Sequence, residues 1–271
     1  IGSNDGTCLK HFKDLGWDVL GVESSKKISN IANKNKIKTL NEFYNFNCAK
    51  KIGQKFDFIN ASGVFFHLEE LHSVTKGINY NLNDKGIFII QFLYMSQIMK
   101  NVAFDQIYHE HLLYYNLKTL QNLLNMHNLE IFDAFLSDIH GGQMVAFVSH
   151  KDIYQTSERL TNLFTEEKKK NSNHISSYYE FADQAKKLKE KNLDFIDSSL
   201  QQKKTIFGLG APVKGNTLLN YFGINKSMIK KLLEINDLRK NLYAPGSHIP
   251  VIMEKDELEI PDIFYVLAWN F

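Results

Sequence analysis

The sequence predicts an α/β protein: a doubly wound, mainly parallel sheet ending in an antiparallel pair, a helical linker, and a second, smaller α/β unit. Three observations predict it. Short apolar runs alternate with segments of helical periodicity over residues 1–150. A turn-poor stretch of helical spacing occupies 151–203. A glycine-rich strand-to-helix turn, like the one that opens the chain, recurs at the head of 204–271.

The runs WDVLGVE (17–23), FDFINA (56–61) and GIFIIQF (86–92) are continuous and apolar, the last preceded by the turn signal Asn83, Asp84, Lys85, Gly86. Such runs suit strands buried on both faces of a parallel sheet. Between them, 24–35 and 68–82 carry apolar residues at helical spacing, with Leu71, Val74, Ile78 and Leu82 in the second. A helix at 117–127 leads into 130–136 and 143–149, an antiparallel pair joined by a turn holding Gly141 and Gly142. From about 154 to 204, Leu160, Phe164, Phe181, Ala185 and Leu188 offer a packing face for two linking helices. Residues 204–209 are strand-like, 210–215 a loop, and a helix starts at Asn216; 229–235 and 263–269 continue the unit.

Composition narrows the function. Of 271 residues, 44% are hydrophobic and 23% charged, the profile of a globular protein. A net charge of +2 gives no electrostatic footprint for nucleic acid or an anionic membrane. Lys168, Lys169 and Lys170 read as a solvated helix face. Cys8 and Cys48 are the only cysteines, too few for a disulfide framework or a four-ligand zinc site, so a reducing, cytoplasmic setting is expected. No apolar run approaches the roughly 18 residues of a membrane span. The chain opens inside a turn that ordinarily follows a strand and closes on a strand-like run without a cap, so a fragment cut at both ends and lacking its first strand is expected.

The opening turn carries the first chemistry. Gly2 and Gly6 flank Ser3, Asn4 and Asp5, and glycine lets a backbone approach a ligand closely. Glu23 ends the next strand-like run, where a carboxylate can accept from both ribose hydroxyls. The same logic serves NAD enzymes. Here the third glycine of G-x-G-x-x-G is absent, and Asp5 would repel a pyrophosphate while suiting the amino group or sulfonium of S-adenosylmethionine (SAM). Asn60, Ala61 and Ser62 end another run at the carboxyl edge, where open α/β sheets bind ligands, and His67 follows.

The densest polar cluster is Tyr108, His109, Glu110 and His111, followed by Tyr114 and Tyr115. No cysteine or second acidic cluster completes a metal site, so a histidine base beside a carboxylate is the better reading. His140, Gly141 and Gly142 form a turn that serves either a ligand or a hairpin. The stretch GLGAPVKGN (208–216), with Lys214 and Asn216, is either an anion site at a helix start or a packing turn.

These segments, with PGSHIP (245–250) and LAWNF (267–271), resemble the sugar C-methyltransferases, in order along nearly the whole chain. That family methylates C3 of a dTDP-linked 4-keto deoxysugar. The resemblance implies a Rossmann-like class I methyltransferase domain binding SAM through Gly2, Ser3, Asn4, Asp5, Gly6, Glu23, Ala61 and Ser62. It also implies a C-terminal Rossmann-like domain that helps hold the nucleotide sugar. His111 is then the candidate base, with Tyr108, Glu110 and His67 as further catalytic groups and His140, Gly141, Lys214 and Asn216 on the substrate side. The family's N-terminal zinc module is absent from this sequence, and Ser62 and Gly63 stand where the family usually has two asparagines. Other readings are an O- or N-methyltransferase, an NAD-dependent nucleotide-sugar oxidoreductase, or a protein that only binds the sugar.

Overall fold

The structure, a computed structural model, describes residues 1–269, with His140 lacking a described side chain. The chain folds into two compact units. The first comprises Ile1–Met95, Leu112–Asp138 and Gly142–Asn173; the second comprises Ser96–His111, Ile139–Gly141 and the chain from His174 onward.

The elements run α1 (Thr7–Asp14), β1 (Gly21–Val22), α2 (Lys26–Lys34), β2 (Thr39–Leu40), α3 (Phe46–Ile52), β3 (Phe56–Ser62), α4 (Leu71–Asn81) and β4 (Leu82–Leu93). They continue with α5 (Met95–Lys100), α6 (Leu117–Asn125), β5 (Leu129–Ser137), β6 (Gln143–His150), α7 (Glu158–Lys169) and α8 (Ile175–Gln201). The last are β7 (Ile206–Leu209), α9 (Val213–Phe222), β8 (Leu232–Glu234), β9 (Val251–Met253) and β10 (Ile263–Val266).

In the first unit, β3 and β4 are parallel, while β6 lies antiparallel to both β4 and β5, giving the order β3-β4-β6-β5. The expected antiparallel ending is present. β1 and β2 form a separate parallel pair. The Ile1 amine donates to the Asn60 carbonyl at 2.8 Å and the Ser3 N–H to the Val22 carbonyl at 3.1 Å, so residues 1–3 run between β1 and β3. One face of the larger sheet carries the buried side chains Ala61, Phe88, Ile90, Phe92, Met144, Ala146 and Val148. At about 1.5–3 kcal/mol per large apolar side chain, this face dominates the unit's stability.

Three local expectations change. The run 17–23 yields only the two-residue β1, preceded by the exposed Trp17. Asn83–Gly86 is not a turn ahead of a strand but a bulge within β4. Phe56 pairs with Leu82 and Phe58 with Ile87, so the polar residues are looped out where Gly86 passes the Phe56 carbonyl too closely for a side chain. The helix expected from Asn216 begins at Val213, because Pro212 at its N-cap has φ −69°, already suited to a helix entry.

Helix α6 has an anchor that sequence reading missed. Glu167 of α7, only 2% exposed, accepts from the Leu117 and Lys118 N–H groups at 2.7 and 3.1 Å, from the Tyr94 hydroxyl at 2.8 Å and from the Asn173 amide at 2.8 Å. A carboxylate there satisfies N–H groups that a helix start leaves without intrahelical partners.

His72 of α4 meets His127 beyond α6, Nδ1 to Nε2, at 2.9 Å. The bond needs one ring nitrogen to carry a proton and the other to lack it. Burial, then the neighbouring His72 and Lys76, lower the His127 pKa from 6.5. The folded state therefore binds fewer protons than the unfolded chain just below pH 6.5, and stability is lost as pH falls through that window. Denaturant midpoints should drop between pH 7.5 and 5, and His127→Gln should flatten part of that drop. An unchanged pH slope in the variant would exclude the pair as its source.

The second unit carries an all-parallel sheet of order β10-β7-β8-β9, with α9 crossing from β7 to β8. The Tyr265 hydroxyl donates to Asn192 of α8 at 2.8 Å, and burial pushes its pKa up to about 12.

Candidate active site

In the first unit the opening turn is built for close approach. Gly2 and Gly6 have φ +61° and +84°; a Cβ on Gly2 would come within 2.4 Å of Val64, and one on Gly6 within 3.0 Å of Ile37. Asn4 also has positive φ, at 51°. Its side chain accepts the Asp5 N–H at 2.8 Å, and Asp5 accepts the Thr7 N–H at 3.0 Å as α1 begins. That Thr7 hydrogen bond lowers the Asp5 carboxyl below its usual value, so it is ionised at neutral pH.

Glu23 stands at the end of β1. Its two carboxylate oxygens accept the Asn4 N–H at 3.1 Å and the Ser25 N–H at 2.9 Å, which joins the acid to the glycine turn. The Ser3 hydroxyl is buried with no hydrogen-bond partner among the described residues. Ala61 is buried in β3, and the Ser62 hydroxyl donates to Asn60 at 3.0 Å. Two carboxylates, an orphaned hydroxyl and a glycine turn match a cationic, ribose-bearing cofactor. They fit SAM and oppose a pyrophosphate. His67 closes the 3₁₀ turn Phe65–His67, its ring 4.5 Å from that of Phe66.

The second unit brings together Tyr108 and His111. The His111 N–H donates to the Tyr108 carbonyl at 2.9 Å, and the two rings lie 4.0 Å apart. His111 Nδ1 is 2.8 Å from the Gln106 carbonyl, which can only accept. The neutral imidazole therefore carries its proton on Nδ1 and its lone pair on Nε2, the arrangement of a general base. This main-chain orienting partner was not foreseen; sequence reading named only Glu110, which is exposed. Tyr108 and Glu110 share the turn with His111, whereas His67 belongs to the other unit.

In the glycine loop after β7, a Cβ on Gly210 would lie 2.7 Å from Ala268, and one on Gly215 would lie 3.3 Å from Leu267. These glycines admit the segment following β10. The Ala211 N–H donates to Glu234 at 3.1 Å. Glu234 ends β8 as Glu23 ends β1, and the rule that selects Glu23 would have found it. Burial opposes its charge, but Arg239 at 2.7 Å and the N–H groups of Asn236, Ile235 and Ala211 outweigh burial and hold its carboxyl below the usual value. Lys214 and Asn216 lie on α9, both half-buried. The Gly141 carbonyl accepts from Asn101 at 2.8 Å, while the side chain of His140 falls outside the described residues. No group of three or more His, Cys, Asp or Glu placed to hold a metal occurs among the described residues.

The first unit has the Rossmann-like α/β fold of a class I methyltransferase domain. Residues 1–134 match a methyltransferase domain, and residues 138–271 match the C-methyltransferase C-terminal domain. Each match takes in just under half of the chain, and together they make it similar to C-methyltransferases along most of its length. It is 28% identical over 276 residues to C-methyltransferase NovU of Streptomyces niveus, covering all of this chain and 66% of that protein's length. An uncharacterized methyltransferase of Alkaliphilus oremlandii is 32% identical over 92 residues, covering 33% of this chain and 42% of the other. Among solved structures, a SAM-dependent methyltransferase from Archaeoglobus fulgidus is similar over 55% of this chain and 83% of its own, at 14% identity and a TM-score of 0.46. No helix among the described residues is long and apolar enough to cross a membrane.

Proposed function

We propose that this methyltransferase acts on carbon, at C3 of a dTDP-linked 4-keto deoxysugar. The observation that carries the reading is the His111 ring, held through Nδ1 so that Nε2 is basic. Methylation of oxygen or nitrogen does not require a carbanion; methylation beside a ketone does. When bound, SAM supplies a methyl group activated by its positive sulfur. His111 Nε2 takes the C3 proton, and the C–H electron pair moves into the C4 carbonyl to give an enolate. Tyr108, on the same turn as His111, donates to the enolate oxygen, a contribution of about 10²–10³-fold for such a donor. Glu110 stabilises the charged imidazole. Asp5, Glu23, Ser3 and the turn from Gly2 to Gly6, with Ala61 and Ser62, hold the cofactor. His140, Gly141, Lys214 and Asn216 serve the sugar nucleotide, and the second unit acts as the Rossmann-like domain that receives it.

The test is deuterium uptake at C3 of the dTDP-linked 4-keto sugar in D₂O, together with thermal protection by S-adenosylhomocysteine and by NADH. Uptake with protection by S-adenosylhomocysteine alone is expected. Methyl transfer to an oxygen or nitrogen acceptor without C3 uptake would replace this reading.

A further inference from the structure

We propose that Asp105 and Trp269 are positioning residues for His111, which rests on the reading of His111 as the base. Near the C-terminal end of the chain, Trp269 reaches the turn that precedes the histidine. Trp269 Nε1–H donates to Asp105 Oδ2 at 2.7 Å. Asp105 is 2% exposed and sits in the 3₁₀ turn Phe104–Gln106. The next residue, Gln106, is also buried, and its carbonyl is the acceptor for His111 Nδ1. The chain from indole to base is therefore short: Trp269, the Asp105 side chain, the Gln106 carbonyl, the His111 ring.

Two further contacts hold the same turn. The Phe104 ring lies 5.0 Å from Tyr221 and 5.3 Å from Phe222 of α9. Lys214 of α9 places its ammonium 5.6 Å from the Trp269 ring centroid. Burial raises the Asp105 carboxyl, while the Trp269 hydrogen bond and then the Lys214 charge oppose that rise. A buried carboxylate is costly without such partners. At the other end, the Leu267 N–H donates to the Leu209 carbonyl at 3.0 Å, which fastens the tryptophan segment to β7. A turn held on both sides presents the Gln106 carbonyl, and so the imidazole, in one place. Misplacing a catalytic group by about 1 Å can cost on the order of 10²-fold in rate.

The experiment uses Trp269→Phe, which removes the N–H and keeps a ring, and Asp105→Asn, which keeps an acceptor and loses the charge. Exchange at C3 is measured for kcat, KM and pH profile, and the His111 imidazole resonances are followed by ¹⁵N-labelled NMR. Trp269→Phe should lower kcat roughly tenfold, with KM unchanged, and shift the His111 Nδ1 resonance. The double variant should lose less than the two single losses combined, since both act through one contact. A wild-type kcat, pH profile and His111 resonance in Trp269→Phe would overturn the proposal, as would a lower melting temperature with no change at His111. If Trp269→Phe does not fold, Asp105→Asn decides by the same measurements. If the wild-type protein shows no C3 exchange, the carbon-methylation reading fails, and the His111 resonance alone decides whether the pair positions the ring.

Discussion

Replacing His111 by asparagine is expected to reduce proton exchange at C3 of the keto sugar by about 10²–10⁴-fold, the worth of a positioned general base. Asparagine keeps an N–H able to reach the Gln106 carbonyl, so the turn loses the base rather than its internal bond. Protection by S-adenosylhomocysteine should persist, because Gly2, Asp5, Gly6 and Glu23 lie in the other compact unit. Exchange at the wild-type rate would remove His111 from the mechanism. Exchange lost together with S-adenosylhomocysteine protection would point instead to a general loss of fold.

Glu167→Ala should destabilise the protein by about 3–5 kcal/mol, because each buried donor left without an acceptor costs about 1–3 kcal/mol and several lose it at once. The substitution takes the acceptor from two α6 N–H groups, the Tyr94 hydroxyl and the Asn173 amide together. Against a total stability of about 5–15 kcal/mol, that is a large fraction. Glu167→Gln, which keeps one acceptor oxygen, should lose less. Urea denaturation gives both values, and a loss below about 1 kcal/mol for the alanine variant would show that water replaces the carboxylate.

The legible parts of this protein were those whose signal is local. Apolar runs at 56–61 and 86–92, helical spacing at 71–82 and the antiparallel pair around Gly141 and Gly142 correspond to elements β3, β4, α4, β5 and β6. Gly2, Asp5, Gly6 and Glu23 were also legible, because a strand–turn–helix unit brings residues close in sequence to one edge. Polar residues inside an apolar run misled: Asn83, Asp84 and Lys85 read as a turn, yet only the pairing partner Phe56 reveals the bulge.

By itself the sequence determined the class of fold, the acidic glycine turn that suits SAM, and the histidine-rich turn at 108–111. Backbone preference and hydrophobic period act over a few residues, and these features need nothing more. Tertiary structure alone decided which atoms of those residues are usable. The Gln106 carbonyl places the lone pair of His111 on Nε2, Glu167 supplies the start of a helix 50 residues away, and Trp269 reaches Asp105 across 164 residues of chain. Hydrogen bonds to buried groups are set by proximity in space, and no periodicity along the chain encodes them.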